Sequence, residues 1–132
     1  MTRINVMPVQ SLTKQHLLAE HREIKRIPNQ ILSGRYNLDG IPKHYTMGTG
    51  HVKYFYNKLK FLHLRYIDLY NECLRRGYNV MNYEKSFIRL SEELETTTYN
   101  KLYNDYKPSF DAMVISQERI NQKLAQKPNF YK

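Results

Sequence analysis

Residues 51–77 read HVKYFYNKLKFLHLRYIDLYNECLRRG. Val52, Phe55, Leu59, Leu62, Tyr66, Leu69 and Cys73 recur at intervals of three and four. That spacing places apolar side chains on one stripe of an α-helix. Arg75 and Arg76 complement the negative end of such a helix, and Gly77 suits the left-handed position just past it. The pattern predicts one helix from about His51 to Arg76, about 40 Å long at ~1.5 Å per residue. It is the central core element, and the rest of the chain is read around it.

Upstream, residues 1–10 (MTRINVMPVQ) read as extended, because Pro8 is a poor helix interior residue. Ser11 or Thr13 can cap a first helix over about Leu12 to Lys25 or Arg26. Pro28 disfavours helix at Ile27 and should kink or end it there, with a further turn possible around Asn29 to Leu32. Residues 34–50 carry five of the breakers Gly and Pro and read as a loop. Downstream, residues 78–108 hold Glu84, Glu92, Glu93 and Glu95, with a short helix possible around Glu84 to Glu95 before TTTYN at 96–100 interrupts it. A third helix spans about Phe110 to Gln126, with Ser109 as its cap and Pro128 as its stop. The expected fold is all-α: a single compact domain, 1–132, of three main helices joined by irregular loops.

The 132 residues carry a formal net charge of +9. A compact domain this basic repels itself unless a polyanion is its working partner, so nucleic acid leads and an anionic membrane surface comes second. The acidic segment 78–108 should then lie away from the binding face. Cys73 is the only cysteine, which leaves no intramolecular disulfide and fits a reducing, intracellular setting in the cytoplasm or nucleus of a host cell. Residues 1–20 lack the apolar core of a signal peptide, and no apolar run is long enough to span a membrane.

Two stretches could carry chemistry. Thr2 is small enough to permit removal of the initiator methionine, and the α-amine then exposed is a nucleophile no side chain supplies. The stretch QHLLAEHREIKR, residues 15–26, is dense in charge. On a helix His16 and Glu23 fall within about 20° of each other, Arg26 about 60° from Glu23, and Arg22 about 40° from Arg26. The same residues also read as an ordinary solvated helix face stitched by pairs one turn apart. His16, Glu20 and Glu23 make only a weak metal set, since no fourth ligand accompanies them. His63 lies near the apolar stripe and reads as structural. Gly48-Thr49-Gly50-His51 could offer backbone N–H groups to a phosphate, or simply form a tight turn that starts the helix. It lacks the Lys-Ser or Lys-Thr of a nucleotide loop. Arg119 and Lys123 sit four apart, so both can reach one anion.

MTRIN, QHLLAEHREIKR, GTGHVKYFYNKLKFL, ECLRRG and ISQERINQKLAQKPNFYK occur in that order. Together they resemble the small pyrimidine-dimer DNA glycosylase/AP lyases of the phage endonuclease V type (not the deoxyinosine-specific enzyme that shares the name). The resemblance covers roughly residues 1–28, 47–77 and 112–132. It implies a monomeric three-helix DNA repair enzyme that acts on double-stranded DNA containing pyrimidine dimers or abasic sites and needs no cofactor and no metal. Thr2 would supply the nucleophilic α-amine, and Glu23 would be the catalytic acid. Arg3, Arg22, Arg26, Arg119 and Lys123 match phosphate-holding positions, His16 would lie near the site, and Phe130 and Tyr131 would pack near the lesion. The other readings are the same lyase chemistry on another damaged base, or a non-catalytic basic DNA-binding protein. His21 stands where relatives often have Tyr, and Phe130 where Trp is common. The chain also stops at Lys132, short of the aromatic residues some relatives add. A thinner lesion-facing tail and an altered lesion preference are therefore expected.

Overall fold

The computed structural model describes residues 2–93 and 97–127, with 97–99 as backbone only. Among these residues none is in a strand. A 3-10 turn, Val9–Ser11, precedes α1 (Lys14–Glu23), α2 (Arg26–Ser33), α3 (His51–Tyr54), α4 (Leu59–Arg75), α5 (Lys85–Glu92), α6 (Thr97–Leu102) and α7 (Phe110–Gln126). The all-α expectation holds, with α1, α4 and α7 as the long elements and four shorter helices added around them.

The stripe on α4 is buried as its spacing demands: Leu59, Leu62, Tyr66, Leu69 and Cys73 are each 1% exposed or less. The expected single helix over 51–76 is nonetheless two. Tyr54, Phe55 and Tyr56 are all buried, and three successive residues cannot share one face of a helix. The chain instead tightens into i→i+3 turns, with Phe55 N–H on Val52 C=O and Tyr56 N–H on Lys53 C=O. Lys58 then leaves the helical region at φ −129°, ψ 39°. The N–H of Phe61 in the new first turn is satisfied by the carbonyl of Asn104 (3.2 Å), whose side chain also donates to Asn57 C=O (3.0 Å). The 17 residues of α4 span about 26 Å rather than 40 Å.

The first helix also ends earlier than expected. Pro28 has no N–H to donate to Ile24 C=O, and its ring crowds that carbonyl. Ile24 C=O is taken by Ile27 N–H instead, at 3.3 Å. The break therefore falls at Ile24–Lys25, and Pro28 sits in the first turn of α2, where a missing N–H costs nothing. Ile27 is accordingly helical and buried. Thr13 is the cap of α1, its hydroxyl accepting from His16 N–H (3.2 Å). Residues 35–50 form the expected loop. The short helix expected around Glu84 to Glu95 is α5, which ends at Glu92; within the threonine-rich run a separate helix, α6, begins at Thr97, held by burial of Leu102 and by Asn104 Nδ2 donating to Lys101 C=O (2.7 Å). Ser109 caps α7 by accepting from Ala112 N–H (3.1 Å), and α7 has the expected bounds.

The N-terminal segment runs extended through the interior, with Ile4, Asn5 and Val6 buried. Having no sheet to join, it takes its backbone partners from side chains. Ile4 N–H donates to His51 Nε2 (2.8 Å), Asn5 N–H to Glu20 Oε1 (3.2 Å) and Val6 N–H to Ser116 Oγ (3.2 Å). Tyr45 donates its hydroxyl to Ile4 C=O (2.8 Å). Glu20 is paired in turn with Arg65 of α4 (Nε–Oε2 2.7 Å), and Arg65 also donates to Met7 C=O. Both members of this pair are buried. Removing one leaves the other charged and unpaired, so Arg65→Met should cost about 3–5 kcal/mol of stability. Denaturant unfolding checks this; a loss below about 1 kcal/mol would show that the pair does not hold α1, α4 and the N-terminal segment together.

Candidate active site

Alternation along the extended N-terminal segment sends Arg3 and Asn5 to one side, and both line a cleft of about 360 Å3. The second wall is α1, where Ala19 and Glu20 lie one turn beyond His16, and Glu23 one turn beyond them. The third is α7, which contributes Arg119 and Lys123, one turn apart. Five residues expected from the sequence thus share one concave surface: Arg3, His16, Glu23, Arg119 and Lys123. Thr2 precedes Arg3 directly and is half-buried at the head of the same segment.

The two carboxylates of the cleft have different duties. Glu20 is 1% exposed, and both its oxygens are engaged. Oε2 receives Arg65 Nε, and Oε1 receives Arg65 Nη2 (3.1 Å) together with the Asn5 backbone and side-chain N–H groups. Glu23 is held less tightly, with Arg22 Nη2 at 4.0 Å and its side chain 15% exposed. It is the carboxylate with room to meet a ligand. With Glu20 committed, the His16–Glu20–Glu23 metal set loses a member, and among the described residues no group of three or more ligand-type side chains could hold a metal ion.

The cationic groups set the field. Burial, then the charge of Arg119, lowers the Arg3 pKa, while Tyr45 and Glu23 oppose the shift. Burial, then Arg3 and Lys123, lowers the pKa of His16, whose Nδ1 lies 2.7 Å from Thr13 Oγ1. His16 is therefore biased towards the neutral form, which can accept a proton. Arg119 Nε is buried with no hydrogen-bond partner among the described residues, a donor left for an anion. Asn5 Oδ1 is likewise buried and unpartnered, an acceptor in a cleft made mostly of donors.

Other expected residues stand elsewhere. Arg22 is exposed on the flank of α1 beside Glu23, and Arg26 is exposed at the start of α2. The wheel that placed Arg26 with Glu23 assumed one continuous helix, which Pro28 prevents. Phe130 and Tyr131 lie outside the described residues. His21 faces away from the cleft into an aromatic cage: its Nε2 is 3.0 Å from Tyr66 Oη, its ring stacks on Tyr66 and Tyr70, and it is 2% exposed. It joins α1 to α4 and is not among the residues that line the cleft. The Gly48–Gly50 stretch is a tight turn, with His51 N–H on Gly48 C=O (3.1 Å). Gly50 has φ +88°, and a Cβ there would meet Pro42 Cγ at 3.0 Å. His63 lies between Tyr103 and Glu84 (2.6 Å) and is structural.

A model of the pyrimidine dimer DNA glycosylase family matches residues 1–84. The chain belongs to that family. The match takes in the N-terminal segment and the α1 wall with Glu23, whereas Arg119 and Lys123 of α7 lie beyond it. A pyrimidine dimer glycosylase acts in the repair of dimer-bearing DNA, and a cleft faced with two arginines and a lysine suits that polyanion.

Burial is the first cause that lowers the pKa of His21 and of His51, as it is for His16. A histidine held neutral in the fold takes up fewer protons than the unfolded chain below the ordinary value of 6.5. Stability from these groups is complete above that pH and is lost as pH falls towards the lowered values. The thermal midpoint of the pyrimidine dimer glycosylase should be level from pH 8 to 7 and decline from about 6.5, before most carboxylates titrate. A midpoint level down to pH 5 would contradict burial of neutral histidine.

Proposed function

We propose that this chain excises UV-induced cyclobutane pyrimidine dimers by N-glycosylase action and nicks the strand by β-elimination, through a Schiff base on the α-amine of Thr2. The observation that carries the reading is the cleft in which Glu23 and His16 sit with Arg3, Arg119 and Lys123, against the segment that Thr2 heads. Once Met1 is removed, the amine attacks C1′ of the 5′ nucleotide of the dimer. The glycosidic bond breaks and its electron pair leaves with the base. The sugar ring opens, and the amine and C1′ form a protonated imine. Glu23 stabilises the positive charge that develops on the sugar. Glu23, with His16 near by, then assists removal of a 2′ proton, and the 3′ phosphate departs as the C3′–O bond breaks. Water finally hydrolyses the imine and regenerates the amine.

An α-amine suits this work because its ordinary pKa is about 8, against about 10.4 for lysine. The charge of Arg3 beside it favours the neutral form further. Arg3, Arg119 and Lys123 would hold phosphates at the scissile nucleotide, with Arg22 and Arg26 meeting the backbone on the outer flank. These contacts give affinity and register without a base code. A dimer weakens its own pairing, so the duplex kinks there at lower cost and admits the protein. The acting species is read as a monomer formed by one domain.

Sodium borohydride reduces a Schiff base to a stable amine. Protein with a Thr2 N-terminus verified by mass should therefore be trapped covalently on duplexes bearing a dimer or an abasic site. Absence of a trapped complex with either duplex would overturn the lyase reading. Equal or better trapping and cleavage on an oxidised-base duplex than on the dimer duplex would redirect it to another lesion.

A further inference from the structure

Fixing an amine at the end of a chain is a mechanical problem, because termini are ordinarily the least ordered part of a domain. Here the peptide of Ile4, two residues from Thr2, is gripped on both sides. Its N–H donates to His51 Nε2 at 2.8 Å, and its C=O accepts the Tyr45 hydroxyl at 2.8 Å. All three residues are buried, Ile4 completely. We infer that His51 and Tyr45 are positioning residues that set where the Thr2 amine stands over the cleft. The inference rests on the proposed reading of that amine as the nucleophile.

From a fixed Ile4 nitrogen, the chain back to the Thr2 nitrogen spans about 7 Å at most, with only the dihedrals of Thr2 and Arg3 between them. Arg3 is itself partly buried as a wall of the cleft. Without the grip, the same segment could rotate or withdraw. A misplacement of ~1 Å at a reacting atom can cost on the order of 100-fold in rate.

The neighbours of His51 also dictate its proton. Nδ1 lies 2.7 Å from Thr46 C=O, which can only accept, so Nδ1 carries hydrogen. Nε2 faces the Ile4 N–H, which can only donate, so Nε2 is bare. The ring works as a neutral one-in, one-out bridge between the 46–51 turn and the N-terminal segment. It is seated edge-on against Tyr45 and Phe55, where burial and then the Arg3 charge oppose protonation against the pull of the Thr46 carbonyl. Phenylalanine keeps the shape but not the acceptor, and glutamine restores an acceptor near Nε2.

Single-turnover borohydride trapping of the full chain on a synthetic duplex with one abasic site reads the effect at saturating DNA. Tyr45→Phe should slow trapping roughly tenfold and His51→Phe roughly 100-fold. DNA affinity should stay within about twofold and the pH midpoint of trapping should not move, because the amine is displaced and not retuned. His51→Gln should recover most of the rate. Wild-type rates in both Tyr45→Phe and His51→Phe would overturn the inference and leave the nucleophile reading intact. So would losses that merely follow the folded fraction or the DNA affinity, with no recovery in His51→Gln. Failure of the wild-type chain to be trapped would overturn both. Should His51→Phe not fold, Tyr45→Phe, which loses a single hydroxyl, decides the matter.

Discussion

Protein carrying one extra residue ahead of Thr2, or acetylated on that amine, should lose borohydride trapping and strand cleavage by on the order of 10⁴-fold, as expected when a covalent nucleophile is removed. DNA binding should change little, since Arg3, Arg119, Lys123, Arg22 and Arg26 keep their charges. Among the described residues that line the cleft, the one competing amine is Lys123 Nζ. Lys123 stands on the α7 wall and not at the head of the N-terminal segment, so it should not replace Thr2 efficiently. The outcome that would sink the assignment is undiminished trapping by the acetylated protein. Loss of that residual trapping in Lys123→Arg would then name Lys123 as the nucleophile. Measuring both on an abasic duplex isolates imine formation from base removal.

Glu23→Gln should reduce dimer cleavage about 10³-fold or more at unchanged or tighter DNA binding. The substitution preserves shape and removes a negative charge from a cleft that presents Arg3, Arg119 and Lys123, so affinity has no reason to fall. Glu20 lies in the same cleft yet cannot stand in. Arg65 and Asn5 take up both its oxygens, and freeing it would break a buried ion pair. Loss of activity in Glu20→Gln is therefore expected to come with loss of stability, while Glu23→Gln should unfold at nearly the wild-type midpoint. Glu23→Gln protein that still cleaves dimer-bearing duplex at the wild-type rate would show that another group does the acid–base work.

The distinction between these carboxylates illustrates what sequence can and cannot show. Periodicity alone reads residues 15–26 as a charged helix face, and both glutamates as members of it. Only the fold reveals that Arg65, 45 residues away, neutralises Glu20 and leaves Glu23 available. The pairing of Arg119 with Lys123 is legible from their spacing, because four residues make one helical turn. That the pair faces Glu23 depends on how α7 crosses the N-terminal segment, where Ser116 Oγ meets Val6 N–H. His51 gives no local signal of its role. A histidine after a glycine-rich turn reads as the start of a helix, and the Ile4 N–H that it accepts from is 47 residues away in sequence.

By itself the sequence determined the helical class, the buried stripe of α4, the bounds of α7 and the family resemblance carried by the order of its sequence blocks. These follow from local periodicity, capping and motif order, which need no knowledge of distant contacts. Tertiary structure decided where the long helix breaks, at Phe55–Lys58, because three successive aromatics are buried and the Asn104 carbonyl meets the Phe61 N–H. It also decided which charges are spent in pairs, and how an unpaired extended terminus is held by His51, Glu20, Ser116 and Tyr45. The physical reason is the same in each case. A buried polar group must find a partner wherever the fold brings one, and no periodicity in the chain records which partner that will be.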